Sequence, residues 1–194
     1  MNLSELGIKA RAASVLLAKM NVETKNKALI ACAEALVKES NSILEANAKD
    51  VLIGREKGMN EGLVDRLMLT EERIKGIAEG LEQVAALDDP VGEVLDMKKR
   101  PNGLLIGKKR VPLGVVGMIY EARPNVTPDA FALCFKSGNA VILRGGSDAI
   151  NSNIAIVKVL QDTLKACGIT EDAVQLIEDT SHEVGTEFMK MNGY

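Results

Sequence analysis

Apolar residues recur at helical spacing through the first ninety positions of the chain. Leu6, Ala10, Ala13, Leu17 and Met20 make one stripe, and Leu29, Ala33, Leu36 and Val37 make another behind a Thr24 cap. This spacing predicts two amphipathic helices. A third is predicted over residues 41–57 with Gly58 as its stop, and a fourth runs from a Thr70 cap through Ile74, Ile77, Leu81 and Val84. Asp88, Asp89 and Pro90 close this helical section. Residues 91–110 then switch to short extended pieces around Arg100-Pro101-Asn102-Gly103, which has the turn chemistry of a hairpin.

From there the pattern alternates: strand 115–120, helix 129–136, strand 140–143, helix 149–167, strand 174–177. The strand candidates are continuous apolar runs, which suits strands covered on both faces in a parallel sheet with right-handed crossovers. The expected fold class is therefore α/β. No repeat or low-complexity tract interrupts it.

Composition narrows the function classes. Over 194 residues, 46% are hydrophobic and 26% charged, the balance of a globular chain with a buried core. With no Trp, two Tyr and three Phe, the core is mainly aliphatic and stacking platforms for single-stranded nucleic acid are scarce. A formal charge of -3 gives no footprint for duplex DNA, so no nucleic acid is expected as a partner. Lys98, Lys99, Arg100, Lys108, Lys109 and Arg110 concentrate cations on the hairpin, where they can blunt a sheet edge or meet phosphate. No window approaches a membrane span and the first nineteen residues do not read as a signal peptide, so the expectation is a cytoplasmic protein with no membrane partner. Cys32, Cys134 and Cys167, with His182 the sole histidine, are too few for a disulfide framework or a zinc site. They read as small core residues, and no metal is expected.

Ligands in open parallel sheets sit beyond the carboxyl ends of the strands, which singles out three loops. After the first strand, Pro124 and Pro128 bracket Asn125 and Thr127. A side-chain amide held rigidly there can donate to a developing oxyanion, or Asn125 and Thr127 can simply cap the next helix. After the second strand, Arg144-Gly145-Gly146-Ser147-Asp148 offers a cation and close backbone approach to a phosphorylated ligand, or an ordinary turn and cap. No G-x-G-x-x-G follows a strand. After the third, Asp179-Thr180-Ser181-His182 leads into a helix, with His182 placed to approach a ligand or to stand in solvent.

Three stretches carry a resemblance. Arg110-Val111-Pro112-Leu113-Gly114-Val115-Val116-Gly117, then Tyr120-Glu121-Ala122-Arg123-Pro124-Asn125-Val126-Thr127, then residues 136–147 closely resemble the gamma-glutamyl phosphate reductase family of the aldehyde dehydrogenase superfamily. The similarity extends through Glu45-Ala46-Asn47-Ala48-Lys49-Asp50 and Val174-Gln175-Leu176-Ile177-Glu178-Asp179, essentially the whole chain.

That resemblance implies a Rossmann-like parallel sheet of the aldehyde dehydrogenase fold, with an amino-terminal helical section and a β-hairpin. Residues 1–90 would pack on the cofactor domain, 91–110 would form a hairpin used in oligomerisation, and 111–194 would begin the NADP-binding domain. Family members continue past Asn192-Gly193-Tyr194 into a catalytic domain, so the resemblance puts the nucleophilic cysteine outside these residues and implies an incomplete, inactive unit. It assigns Asn125 to oxyanion stabilisation, and Arg144, Gly145, Gly146 and Ser147, with the region of His182, to the cofactor. The implied reaction is NADPH-dependent reduction of L-glutamyl 5-phosphate to L-glutamate 5-semialdehyde in proline biosynthesis, through a cysteine thioester. Implied partners are that substrate, further copies of the complete chain, and glutamate 5-kinase. Two other readings stand beside it: a noncatalytic nucleotide-binding or oligomerisation fragment, and an acyl-CoA-linked aldehyde dehydrogenase relative.

Overall fold

The structure, a computed structural model, describes residues 2–194. Five helices come first: α1 (Leu3–Leu17), α2 (Val22–Lys38), α3 (Ser40–Glu56), α4 (Glu61–Leu67) and α5 (Glu71–Ala86). A two-stranded antiparallel hairpin follows, β1 (Val94–Lys99) and β2 (Leu105–Lys109). The remainder is β3 (Val115–Ile119), α6 (Val126–Lys136), β4 (Ala140–Arg144), α7 (Ile150–Ala166), β5 (Val174–Leu176) and α8 (His182–Lys190). The sheet order is β3-β4-β5 and both pairings are parallel, with Val115 opposite Ala140 and Val141 opposite Val174. The fold is α/β, as the alternating pattern predicted.

The helices form where their apolar stripes find the sheet or one another. α1 lies on one face of the sheet through Ala10, Ala13 and Leu17, and the carboxyl-terminal segment reaches it where Tyr194 Oη meets Ser4 Oγ at 3.1 Å. α6 and α7 make the crossovers between the parallel strands and pack on β4 and β5, with α2, α3 and α5 packed against them. Lys25 is fully buried on α2; its ammonium pairs with Asp89 and donates to the Lys136 carbonyl at 3.0 Å, tying α2 to the turn after α5 and to the end of α6.

Several local expectations change. α2 is capped by Asn21, whose side chain accepts from Thr24 N at 2.8 Å, so Thr24 lies inside the first turn. The helix starts early because Asn21 sits in extended backbone and Val22 is solvent-facing, off the apolar stripe. α4 was not predicted; it spans seven residues and buries only Val64 and Leu67, too short for a periodic signal, though Asn60 caps it by accepting from Leu63 N at 2.9 Å. β4 and β5 are buried along their runs, but β3 is not: α6 packs on β4 and α7 on β5, while β3 is reached mainly by α1, and Ile119 is 47% exposed. The hairpin stands apart from the sheet with every residue but Asp96 exposed, including Leu95, Met97, Leu105 and Ile106. Of its six cations, Lys98 pairs with Asp96 and Arg110 with Glu93.

Candidate active site

The parallel register brings the loops after β3, β4 and β5 to one end of the sheet. Ile119 is opposite Arg144, and Tyr120 N donates to the Arg144 carbonyl at 3.1 Å, so the first two loops part side by side. Three short turns then fold the β3 loop: Arg123 N to Glu121 O at 2.8 Å, Val126 N to Arg123 O at 3.1 Å, and Thr127 N to Pro124 O at 3.2 Å. Pro124 is buried beneath them. Asn125 occupies the helix-cap position in helical backbone, yet its side chain makes no capping bond and is exposed.

Thr127 does not cap either. It is fully buried, and its hydroxyl donates to Asn153 Oδ1 at 2.7 Å. That single proton being committed, Tyr120 Oη must donate to Thr127 Oγ1 across 2.6 Å. Burial pushes the Tyr120 phenol up from its ordinary value, which keeps it protonated as the donor. The far side of Asn153 faces Gly145: a Cβ there would sit 2.3 Å from Asn153 Nδ2 and 3.3 Å from the Tyr120 ring. Only glycine fits this approach. At Gly146 a Cβ would meet Ala122 N at 3.0 Å. The β3 and β4 loops are thus packed backbone to backbone around one buried polar chain.

Arg144 turns the other way. Its Nη2 donates to the Thr180 carbonyl at 2.7 Å and the Ser181 carbonyl at 3.2 Å, joining the β4 loop to the start of α8. Ser181 caps α8, accepting from Val184 N, and its own N–H donates to Asp179 Oδ1 at 2.9 Å. The Ser181 backbone N–H and hydroxyl hold the Asp179 carboxyl below its ordinary value. His182, the first residue of α8, is exposed beside this junction.

A cleft of about 450 Å3 opens in front of Asn125. Its walls include Asp65 and Arg66 from α4, Arg73 from α5, and Arg123 and Asp129 from the β3 loop and α6. Arg144, Gly145, Gly146, Ser147 and His182 do not line it. The structure therefore brings the predicted cofactor loop against the base of the Asn125 loop, but Asn125 itself faces the helical section. Sequence reasoning missed Arg66, Arg73 and Asp129; the first lies on the short helix it did not foresee and the second in the first turn of the helix after it.

The start of α7 is already occupied by a side chain of the protein. Asp50, from α3, accepts from Asn151 N at 3.2 Å and Nδ2 at 2.7 Å, and from Ser152 N at 2.7 Å and Oγ at 2.5 Å. A helix start so filled is closed to a phosphate, in keeping with the absent glycine fingerprint. An anionic ligand at this sheet end would have to be met by side chains of the loop instead. Two side chains fit that demand: Ser147 is exposed, and Arg144 is half-buried with Nε lacking a hydrogen-bond partner, while Gly145 and Gly146 serve the close packing of the two loops.

The cysteines offer no nucleophile at this end of the sheet. Burial pushes the Cys32 thiol up to about 12 and the Cys134 thiol up to about 11, while Cys167 is exposed at the end of α7. Iodoacetamide near pH 8 should accordingly label Cys167 alone in the native chain, because only accessible thiols with thiolate character react. Labelling of Cys32 or Cys134 before unfolding, read by peptide mass spectrometry, would contradict this packing. Among the described residues no group of three His, Cys, Asp or Glu side chains can hold a metal, and no helix is long and apolar enough to cross a membrane.

No protein-family profile matches the chain. A gamma-glutamyl phosphate reductase from Clostridium perfringens is 56% identical over 188 residues, 97% of this chain and 45% of the relative. The crystal structure of a gamma-glutamyl phosphate reductase from Thermotoga maritima superposes with a TM-score of 0.95 at 45% identity, covering 98% of this chain and 46% of that one. The chain belongs to the gamma-glutamyl phosphate reductase family. It spans about half the length of the relatives it matches. An acetylating aldehyde dehydrogenase from Geobacillus thermoglucosidasius shares the fold, with a TM-score of 0.74 over 96% of this chain and 38% of its own length, at 16% identity. The aldehyde dehydrogenase architecture expected from the sequence is therefore present.

Proposed function

We propose that this chain is the amino-terminal part of an enzyme that reduces L-glutamyl 5-phosphate to L-glutamate 5-semialdehyde with NADPH, in proline biosynthesis and in the cytoplasm. The observation that carries the reading is Asn125: an exposed carboxamide with no capping bond, on a proline-braced loop at the ligand end of a parallel sheet. Residues 1–90 serve as helices packed on the cofactor domain and 111–194 as its first portion. None of Cys32, Cys134 and Cys167 lines the cleft in front of Asn125, so in this reading the attacking thiolate is supplied by another residue of the full-length enzyme.

In this reading a cysteine thiolate attacks the acyl carbon, and the carbonyl π electrons move onto oxygen. Asn125 Nδ2 donates to that oxyanion, aimed before charge develops and so with no reorganisation in the step. The carbon–oxygen bond to phosphate breaks, phosphate leaves with its electron pair, and a thioester remains on the enzyme. Bound NADPH supplies the hydride that reduces the thioester to the aldehyde and frees the thiolate. Arg144, Gly145, Gly146 and Ser147 hold the phosphorylated ribose, while the Tyr120–Thr127–Asn153 chain keeps their loop in register with Asn125. His182 borders the cofactor from the start of α8.

Cofactor choice gives the test. Ser147→Ala and Arg144→Gln in the full-length reductase should each raise the KM for NADPH about tenfold or more while changing that for NADH little, since a hydrogen bond to a charged group contributes about 1.5–3 kcal/mol. Equal losses with both cofactors would remove the 2'-phosphate assignment. Ser147→Ala is the cleaner variant because Arg144 also holds the Thr180 and Ser181 carbonyls. The exposed Leu95, Met97, Leu105 and Ile106 of the hairpin favour a second role for residues 91–110, burial against another subunit of a homo-oligomer.

A further inference from the structure

The cleft in front of Asn125 carries more charge than oxyanion stabilisation requires. Its guanidinium and carboxylate groups divide into those the fold uses and those it leaves open. Arg73 is used: Nη1 donates to the Asp65 and Met68 carbonyls and Nη2 pairs with Asp65 Oδ1 at 2.8 Å, which locks the turn between α4 and α5. Arg66, Arg123 and Asp129 line the same cleft, and none of them forms an ion pair or side-chain hydrogen bond among the described residues. Partial burial alone pushes the Asp129 carboxyl above its ordinary value, with no neighbouring cation to offset it.

The floor of the cleft is also bare. Gly76 lines it from the middle of α5, and a Cβ there would meet nothing within 4 Å. One turn further on, a Cβ at Gly80 would lie 3.8 Å from Asp129 Oδ1. An exposed glycine in a helix interior costs about 0.5–1 kcal/mol relative to alanine, and no packing in the chain compels one at position 76.

We propose that this cleft is the amino-acid subsite, in which Asp129 binds an α-ammonium, Arg66 the α-carboxylate and Arg123 the acyl-phosphate group of the substrate. The proposal rests on the reductase reading above and assigns the substrate contacts within it. The spacing supports the assignment. Arg123 lies two residues from Asn125 on the same loop, so a phosphate leaving the carbon whose oxygen Asn125 holds is within its reach. Asp129 is four residues past Asn125, about 6 Å along α6 at roughly 1.5 Å per residue. In a five-carbon amino acid, three carbon–carbon bonds of about 1.5 Å each separate the reacting carbon from Cα, so the ammonium falls near that distance. Arg66, from the facing wall, then meets the carboxylate, where a fork of donors suits it.

The test compares two aldehydes in the oxidative direction with the full-length reductase: L-glutamate 5-semialdehyde and 5-oxopentanoate, which lacks only the amino group. Asp129→Asn should raise the KM for the aminated aldehyde about tenfold or more, a loss of about 1.4 kcal/mol or more, and leave that for 5-oxopentanoate unchanged. Arg66→Gln should raise both, since both carry the carboxylate. Arg123→Gln should raise the KM for phosphate. An Asp129→Asn enzyme that still prefers the aminated aldehyde as strongly as the parent overturns this subsite. A parent enzyme that oxidises neither aldehyde with either nicotinamide cofactor overturns the reductase reading instead. Asp129 and Arg66 are surface side chains without partners, so their replacement leaves the fold intact, and an unchanged melting curve confirms it.

Discussion

Asn125→Ala in the full-length reductase should lower kcat by about two to three orders of magnitude, the loss expected when one oxyanion donor is removed. At the same time the melting temperature should not move, because the Asn125 side chain makes no capping bond in the structure. The pairing of these two outcomes matters. A cap residue would behave in the opposite way, costing about 1 kcal/mol of stability when replaced by alanine and little activity. The KM for the aldehyde should change less than kcat, since the amide acts on charge that develops only during the reaction. A variant with parental kcat would reduce Asn125 to a loop residue.

The largest effect on stability is expected at Asp50. Asp50→Ala removes the carboxylate that receives four donors from the first residues of α7, in a site where Asp50 is 2% exposed. Ser152 Oγ also accepts from Asn47 Nδ2 at 3.0 Å, and Asn47 holds the Leu67 carbonyl and Leu69 N, so the same network fixes the segment between α4 and α5. Orphaning buried donors costs about 1–3 kcal/mol each, and loss of an anion at a helix start adds about 0.3–1 kcal/mol more. A total of about 3 kcal/mol or more corresponds to a fall of roughly 6–12 °C in melting temperature for a chain of this size. Asp50→Asn should fare little better, because an amide NH2 would face the Ser152 donors. A shift below about 2 °C by calorimetry would show that α7 is held by its apolar face alone.

Loss of this network should reach the site as well. α7 begins directly after the Arg144–Ser147 loop, so Asp50 sets where that loop ends. The helical section is consequently part of the site's scaffold: α3 holds the start of α7 behind the Arg144–Ser147 loop, while α4 and α5 wall the cleft in front of Asn125.

How much of this was legible in the sequence depended on range. Residues 140–143 and 174–177 announced buried parallel strands because an uninterrupted apolar run has few other uses, and the structure buries both. The proline-braced loop placed Asn125 correctly at the sheet end, but whether its amide was free or capping could not be read from spacing. That depended on Thr127 being drawn inward to Asn153, a partner 26 residues away. Asp50 and Ser152 are 102 residues apart, and Arg144 reaches a carbonyl 36 residues on. Such pairings follow from packing geometry, which carries no local signature. α4 escaped for a different reason: fewer than two turns cannot display a period, and with it Arg66 was lost from view.

On the proposed function, Asn125 and the Arg144–Ser147 loop serve one acyl group and one phosphorylated dinucleotide at the same sheet end. A crystal structure of the full-length reductase with bound NADP tests it most directly. The ribose 2'-phosphate should lie within hydrogen-bond distance of Ser147 or Arg144, with the nicotinamide ring turned toward Asn125. A dinucleotide seated along another edge of the sheet, with its 2'-phosphate in solvent, would contradict it.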